Sequence, residues 1–342
     1  LEEQYRWFHE NPELSLKEFK TSKRLAGELK KLGYTVTENF GGTGVVAILK
    51  NGSGPTALLR SDMDGLPVNE ETGAKYKSKT QNVMHACGHD IHMASLLGTA
   101  YTLSKMKDQW KGTLILIGQP AEERGIGAEN MIRAGLFKKF PKPDYAVGLH
   151  ANPNRPVGTI AIKPEYILAA VDSIDVTIRG KDGHGAAPHM TVDPIVLASQ
   201  VVLGYQTLVS RVKDPMKQTV LTVGSFQGGS KHNIISNKVH LKITLRTYET
   251  EVRKQMIDGI KRITKHMAKA AMAPTPTVKV SKNEGTPPTY NDIPMTQNVT
   301  KLFKRTFGAK NIVESKKAMY GEDFAYFHTL GKFPTTFFSV GS

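Results

Sequence analysis

Apolar and polar positions along the first half of the chain follow two periods, one typical of buried strands and one of amphipathic helices. Four short apolar runs predict buried strands, at residues 45–50, 56–60, 113–118 and 145–150. The apolar stripe of residues 17–32 predicts a helix, and Gly33 lies where a left-handed C-terminal cap belongs. Further helices are predicted near 90–107 and 127–137. Strands that alternate with helices predict an α/β class with a largely parallel sheet flanked by helices.

The pattern changes at about residue 171, where strand, helix, strand, strand, helix and strand follow one another. This order is that of a ferredoxin-like α+β unit. We therefore expect a second domain at residues 171–284, inserted into a first domain that spans 1–170 and 285–342. A helix at 293–307 and a final apolar run mark the return to the first domain.

The formal net charge of +15 invites a nucleic-acid-binding interpretation. The stretch 251–271 argues against it, because its apolar residues form one helical stripe and its basic residues occupy the remaining surface, as on a solvated helix. No aromatic residues are interleaved with the basic ones. We expect no nucleic-acid partner, and the charge favours only the steering of small anionic substrates.

No apolar run approaches the roughly 20 residues that span a bilayer, and the first residues lack signal-peptide character. A soluble, cytoplasmic protein without a membrane partner is the expectation. The single cysteine, Cys87, cannot form an intrachain disulfide, so its significance is chemical.

The run HACGHDIH (85–92) concentrates metal-binding residue types directly before a predicted helix, for which Asp90 is a candidate N-cap. Cys87 and His89 are two residues apart, so in an extended segment both side chains project to the same side and can bind one metal centre. The alternative is a structural or solvent-facing cluster. The density of sulfur and imidazole ligands favours a metal site.

The sequence QPAEER (119–124) directly follows a predicted strand. Successive side chains of an extended backbone point apart, so the two adjacent glutamates are expected to differ in function. We assign Glu123 as a metal ligand and Glu122 as the general base that takes a proton from an activated water. The alternative is a polar loop in which both glutamates are solvated.

His150 ends one predicted strand, and Asp62 and Asp64 follow another. In α/β sheets, sites form at the carboxyl ends of strands, so these groups are expected to meet the cysteine and glutamates there. Asp64 is a candidate to orient a ligating imidazole from behind. It is equally well explained as a turn residue in the segment DMDGLP.

These strings, together with others along nearly the whole chain, resemble the aminoacylase and hippurate-hydrolase branch of the M20 peptidases, which includes the indole-acetyl-amino-acid hydrolases. The strings are, in order, HACGHD, QPAEE, GLH, GKDGHGAAPH followed by DPI, HNIIS and GEDFAYF. The resemblance implies a catalytic domain (1–170 and 285–342) with two divalent metal ions, manganese favoured and zinc the alternative. It also implies that the inserted domain (171–284) is a lid that mediates homodimerisation. The implied reaction is hydrolysis of the amide of an N-acyl amino acid.

Position by position, the resemblance implies that Cys87, His89, Glu123 and His150 are metal ligands and that Glu122 is the general base. His184, in the string GHGAAPH, matches a lid histidine that reaches the oxyanion, often in the partner subunit. His189 is a less secure match for that histidine.

Two more lid residues are candidates for binding substrate. Arg246 lies on the polar face of an alternating strand, where a guanidinium can grip a carboxylate through a forked ion pair, although an exposed surface arginine is the simpler explanation. Asn233 is a candidate donor to the substrate carbonyl oxygen.

The chain departs from the family pattern at its end. Members carry a further histidine ligand a short distance beyond a segment such as FFSVGS, and this sequence stops at Ser342. The expectation is either a truncated sequence or an incomplete metal position, with partial or absent occupancy.

Several other functions stay open from the sequence. They are a dipeptidase of the same family, a metal-binding dimer with impaired catalysis, and a hydrolase with Cys87 as nucleophile beside His89 or His85. A zincin is excluded, because HACGH lacks the glutamate of the HExxH pattern.

Overall fold

The computed structural model describes all residues, 1–342, and the chain divides into two compact units. Unit 1 comprises Leu1–Ile167, Thr289–Ala318 and Glu322–Ser342. Unit 2 comprises Leu168–Pro288 together with the short segment Met319–Gly321, where the sequence predicts an inserted domain at 171–284.

Nine α-helices and sixteen strands make up the fold. The helices are α1 (Glu2–Glu10), α2 (Phe19–Lys31), α3 (His89–Lys105), α4 (Gly127–Arg133), α5 (Leu136–Lys139), α6 (Pro194–Thr207), α7 (Thr250–Ala270), α8 (Ile293–Phe307) and α9 (Ala325–Thr329). The strands are β1 (Thr35–Phe40), β2 (Gly44–Asn51), β3 (Thr56–Asp62), β4 (Gly112–Gln119), β5 (Tyr145–Asn152), β6 (Ile160–Ile162), β7 (Glu165–Leu168), β8 (Ala170–Arg179), β9 (Gly183–His184), β10 (Thr219–Gly228), β11 (Ile234–Ile235), β12 (Lys238–Thr247), β13 (Thr277–Thr286), β14 (Thr289–Asn291), β15 (Ile312–Glu314) and β16 (Thr335–Gly341).

Unit 1 is built on an eight-stranded sheet in the order β1-β2-β4-β3-β5-β16-β6-β15. The central strands β4, β3, β5 and β16 are parallel, whereas β1 and β2 pair antiparallel at one side. The prediction of a mixed α/β fold with a large, mostly parallel sheet is therefore confirmed. Because β3 lies between β4 and β5 in parallel register, the carboxyl ends of all three strands meet at one edge of the sheet.

Helices α1, α2 and α3 bury apolar side chains in one core with the strands. Phe8, Leu25, Leu29, Met93 and Leu116 are fully inaccessible members of this core. Each such side chain contributes roughly 1.5–3 kcal/mol relative to exposure. This packing fixes the start of α3 and the ends of the strands, which carry the candidate site residues.

Two helix predictions differ from the structure. The predicted helix at 127–137 is divided into α4 and α5 at Gly135, whose φ of 95° lies in the left-handed region. Helix α1 was not predicted, because its sequence EEQYRWFHE contains few apolar residues and only Phe8 is buried. Gly33 ends the α2 region with a φ of 84°, as expected for a left-handed cap.

Unit 2 contains a four-stranded antiparallel sheet in the order β10-β12-β8-β13. Helices α6 and α7 pack on it around a core that includes Ile174, Val201, Tyr205, Leu241 and Ile260. The main elements follow in the order strand, helix, strand, strand, helix, strand.

One helical segment, Pro194–Val212, is long and apolar enough to cross a membrane by length and composition alone. The search for long apolar runs in the sequence did not identify this segment, because polar residues interrupt it. Its side chains Leu197, Val201 and Tyr205 are buried in the core of unit 2.

Candidate metal centre

Four predicted metal ligands converge at the edge of the unit 1 sheet. Cys87 and His89 lie at the start of α3, Glu123 follows β4, and His150 lies in β5. Ligand atoms of Cys87, His89 and His150 all lie within 4.8 Å of one another, and His89 forms a second such group with Glu122 and Glu123. The sequence motifs are thus brought together in space.

The sulfur of Cys87 lies 3.3 Å from Nε2 of His150. Two such atoms bound tetrahedrally to one zinc ion are separated by about 3.5 Å, given bond lengths near 2.3 and 2.0 Å. The other imidazole nitrogen of His150, Nδ1, lies 2.6 Å from the carbonyl oxygen of Ala151 and donates to it, so Nε2 is left as the ligand atom. Burial lowers the pKa of His150, but its contacts with Cys87 outweigh this and raise it to about 9.

His89 is held in the same way. Its Nδ1 donates to the backbone carbonyl of Asp64 at 2.8 Å, which leaves the lone pair of Nε2 free. This Nε2 is buried and has no hydrogen-bond partner, and Oε1 of Glu123, 3.9 Å away, is equally buried and unpartnered. A buried polar atom without a hydrogen-bond partner costs free energy. The two atoms here lie close together and both belong to residue types that bind metals, so the pair fits a bound cation.

The backbone between Cys87 and His89 differs from the extended segment that the sequence suggested. Gly88 adopts a left-handed conformation with a φ of 80° and is the N-cap of α3. Asp90 lies inside the first helical turn, so its prediction as the N-cap was wrong. A side chain at position 88 would meet Cβ of Ala151 at 3.2 Å, so both the backbone conformation and the space favour glycine.

The prediction of an extended backbone at the two glutamates was also wrong. Glu122–Arg124 form a single 3₁₀ turn after Ala121, whose φ of 52° lies in the left-handed region. The backbone amides of Glu122 and Glu123 donate to Oδ1 and Oδ2 of Asp64, both at 3.1 Å. Asp64 therefore orients the glutamate turn through its carboxylate and His89 through its carbonyl.

Glu122 lies beside this group with a side chain that is 10% exposed, and its Oε2 is 3.9 Å from Nε2 of His89. Burial raises the pKa of Glu122 well above the usual value, and the neighbouring carboxylates Glu322 and Asp323 raise it further. A carboxylate with this basicity next to candidate metal ligands is suited to accept a proton from water.

His92 also lies near the centre, but both of its nitrogens have other partners. Nδ1 donates to Oδ1 of Asp62 at 2.6 Å, and Nε2 accepts from the amide of Ala151 at 2.8 Å. No lone pair remains for a metal. We therefore regard His92 as a structural residue of the centre.

A buried ion network, missed by the sequence analysis, lies behind the candidate ligands. The guanidinium of Arg60 is inaccessible and donates to Asp62 at 2.7 Å, to Glu322 at 2.7 Å and to Asp323 at 2.9 Å. Its Nε donates to Gln119 at 2.8 Å. The sequence signal was an arginine directly after the apolar residues 57–59 of a predicted buried strand, because a buried arginine is rare unless its charge is paired.

Replacement of Arg60 by methionine is expected to lower the free energy of unfolding by about 3–5 kcal/mol, because it leaves three buried carboxylates without their cation. Urea-induced unfolding measures the change. The surface arginine Arg6, 2.7 Å from Glu2, is the matched control, and its replacement by methionine is expected to cost less than about 1 kcal/mol. Equal effects at both positions would show that the network does not stabilise the fold.

The predicted catalytic histidine His184 and the two predicted substrate-binding residues, Asn233 and Arg246, lie in unit 2. His184 lies in β9 of the small β9–β11 ribbon and Asn233 directly precedes β11; the amide of Gly185 donates to the carbonyl of Asn233 at 2.9 Å. The side-chain oxygen of Asn233 is buried without a partner. Arg246, in β12, donates from Nε to Thr244 at 3.1 Å, and no carboxylate lies within ion-pair distance of it.

Comparison with known proteins gives consistent matches over nearly the whole chain. The family model of peptidase family M20/M25/M40 matches residues 58–342. An N-acetyl-L-cysteine deacetylase of Bacillus subtilis is 39% identical over 331 residues, which cover 96% of this chain and 78% of that protein. A hippurate hydrolase of Campylobacter jejuni is 40% identical over 329 residues, which cover 95% of this chain and 84% of that protein.

The fold matches solved structures as well. A crystal structure from Bacillus subtilis, described as a dinuclear metal-binding peptidase of family M20, superimposes with a TM-score of 0.85 at 31% identity. The superposition covers 99% of this chain and 87% of that one.

Proposed function

Because the chain belongs to peptidase family M20/M25/M40 and is therefore a hydrolase of amide bonds, we propose that it hydrolyses N-acyl amino acids to a carboxylic acid and a free amino acid. The observation that carries the proposal is the convergence of Cys87, His89, Glu123 and His150 beside Glu122. The two relatives compared above are an N-acetyl-cysteine deacetylase and a hippurate hydrolase, and both names denote hydrolysis of such amides.

The four converging residues are our proposed ligands for two divalent metal ions, with manganese favoured and zinc the alternative. Thiolate and imidazole suit zinc, whereas carboxylates also accept manganese. When bound, such ions acidify water to a pKa near 7 and polarise a carbonyl group. Asp64 is proposed to orient these residues without binding the metal itself, since its carbonyl accepts from His89 and its carboxylate accepts from the glutamate turn.

Glu122 is the proposed general base. Its carboxylate takes a proton from the attacking water and delivers it to the leaving amine nitrogen, so that the amine departs neutral. The raised pKa of Glu122 supports both steps, because a more basic carboxylate accepts the proton more readily and still releases it to an amine.

Unit 2 supplies the proposed substrate contacts. His184 donates to the oxyanion, Asn233 donates to the carbonyl oxygen, and Arg246 binds the substrate carboxylate. The unpaired guanidinium of Arg246 supports this assignment, because a carboxylate ligand would supply its missing ion pair. Burial lowers the pKa of Arg246, as expected for a cation without a partner.

The hydrolysis of a panel of N-acyl amino acids, with added manganese, tests the proposed function. Acetyl and benzoyl derivatives with a free carboxylate are expected to be cleaved, and the corresponding carboxamides at least about 10-fold more slowly, because they lack the charge that Arg246 binds. Equal cleavage of acids and carboxamides would contradict the role of Arg246. Absence of cleavage across the panel would contradict the proposed function.

We propose that the protein acts as a homodimer through unit 2. Strand β10 is at an edge of its sheet, with one side of its backbone unpaired. On α6, Val196 is 55% and Leu203 70% exposed, which is unusual for apolar side chains of one helix. Sedimentation should give a dimer that Leu203→Lys dissociates, and a monomeric wild-type protein would contradict the proposal.

A hydrolase with Cys87 as nucleophile is the one competing function that a specific distance favours. The sulfur lies 3.3 Å from Nε2 of His150, as in a cysteine–histidine pair, whereas the sequence alone suggests His89 or His85 as the partner. Such an enzyme would remain active in EDTA, whereas the metal-dependent enzyme should lose activity and regain it with manganese. The unpartnered Nε2 of His89 and Oε1 of Glu123 favour the metal, because the nucleophile mechanism does not use them.

A further inference from the structure

Three consecutive backbone amides before and within the glutamate turn donate to buried carboxylates. The amide of Ala121 donates to Oε1 of Glu18 at 2.9 Å, and the next two donate to Asp64. Ala121 is a non-glycine residue with a φ of 52°, a conformation that costs about 1–2 kcal/mol. The turn that orients Glu122 is therefore strained, and hydrogen bonds to residues outside the turn, Glu18 and Asp64, stabilise it.

Glu18 is well placed to hold it. The side chain is fully buried at the start of α2, and its second oxygen accepts from the hydroxyl of Thr43. No lysine, arginine or histidine lies within ion-pair distance of Glu18. A carboxylate buried at this cost, with both oxygens bound to fixed donors, indicates a geometric function rather than a surface charge.

The same N-terminal segment also reaches Asp64. The hydroxyl of Ser15 donates to Oδ2 of Asp64 at 2.7 Å. Residues 15–18 thus supply one carboxylate anchor of the turn, Glu18, and bind the other, Asp64, through Ser15, although they lie about 100 positions before the turn in the sequence.

We propose that Glu18 is a positioning residue for hydrolysis: it holds Ala121 in the left-handed conformation and so fixes the direction in which Glu122 faces the reacting atoms. The inference rests on the proposed function of Glu122 as the general base. Displacement of a catalytic group by about 1 Å can lower the rate about 100-fold, so loss of this anchor should affect turnover more than substrate binding.

Two substitutions at position 18 separate geometry from charge. Glu18→Met fills a similar volume without an acceptor and is expected to lower kcat about 10–100-fold with KM within about two-fold of wild type. Glu18→Gln removes the charge but keeps the acceptor for Ala121, and its kcat should stay within about three-fold of wild type. Bound manganese should be unchanged in both.

Glu13 provides the matched control. It lies in the same segment, and its Oε2 accepts from the amide and hydroxyl of Thr21 at 2.9 and 3.0 Å, away from the glutamate turn. Glu13→Met is expected to lower the melting temperature and leave kcat within about two-fold of wild type. Thr43→Val removes the donor to the second oxygen of Glu18 and should also lower kcat. If Glu18→Met does not fold, the kcat of Thr43→Val decides the question.

Hydrogen exchange gives a readout that needs no substrate. The amides of residues 121–125 should exchange faster in Glu18→Met, or in Thr43→Val, and at the wild-type rate in Glu18→Gln. Wild-type kcat in Glu18→Met, or a Glu18→Gln protein as impaired as Glu18→Met, would overturn the inference. A wild-type protein that cleaves no N-acyl amino acid would instead contradict the proposed function, while the exchange rates still decide whether Glu18 holds the turn.

Discussion

Glu122→Gln is expected to lower kcat about 1000-fold or more, because glutamine cannot accept the proton that the attacking water must lose. The amide has nearly the same shape, so the 3₁₀ turn and its bonds to Asp64 should persist. Steady-state kinetics with an N-acetyl amino acid measures the loss, and metal analysis should give an unchanged metal content.

Glu314→Gln is the control for this substitution. Glu314 is a surface residue whose side chain is 72% exposed and pairs with Lys163, so kcat should not change. Unchanged turnover in Glu122→Gln would remove Glu122 from the mechanism. Loss of metal together with turnover would make it a ligand instead of the base.

His89→Asn is expected to weaken metal binding at least about 100-fold and to abolish most of the activity. The amide nitrogen of asparagine can still donate to the carbonyl of Asp64, as Nδ1 of the histidine does at 2.8 Å, but it has no atom in place of Nε2. Replacement of partners that only support a ligand costs about 10–100-fold in affinity, so loss of a ligand itself should cost at least as much.

Titration of the metal-free proteins with manganese, followed by calorimetry, measures this change. His240→Asn is the matched control, because that histidine lies 3.1 Å from Asp175 on the sheet of unit 2 and has no place in the centre. Equal affinities of the His89 and His240 variants would contradict the assignment of His89 as a ligand.

The residues that the sequence brings to the candidate site lie in short strings next to regular elements: Asp64 and Glu123 follow apolar strands, His150 lies near the end of one, and Cys87 and His89 lie at the start of α3. The parallel pairing of β3 with β4 and β5 explains why such strings meet in space, and the strand runs were visible as apolar periods. The chemical types of Cys87, His89 and Glu123 predict a metal site, and the family resemblance adds His150 to it.

The remaining features could not be predicted, because they depend on contacts between segments far apart in sequence. The amide of the left-handed residue Ala121 donates to Glu18, and the left-handed Gly88 lies close to Ala151; no local period in the sequence indicates either contact. Arg60 is paired with Glu322 and Asp323, more than 250 positions later in the chain. Local propensity contains no information about partners at that separation.

X-ray absorption spectroscopy of the zinc-loaded protein tests the account of the metal centre most directly. The account predicts one sulfur neighbour at about 2.3 Å and nitrogen or oxygen neighbours at about 2.0–2.1 Å, with the sulfur absent in Cys87→Ser. A wild-type spectrum that contains only nitrogen and oxygen neighbours would contradict it.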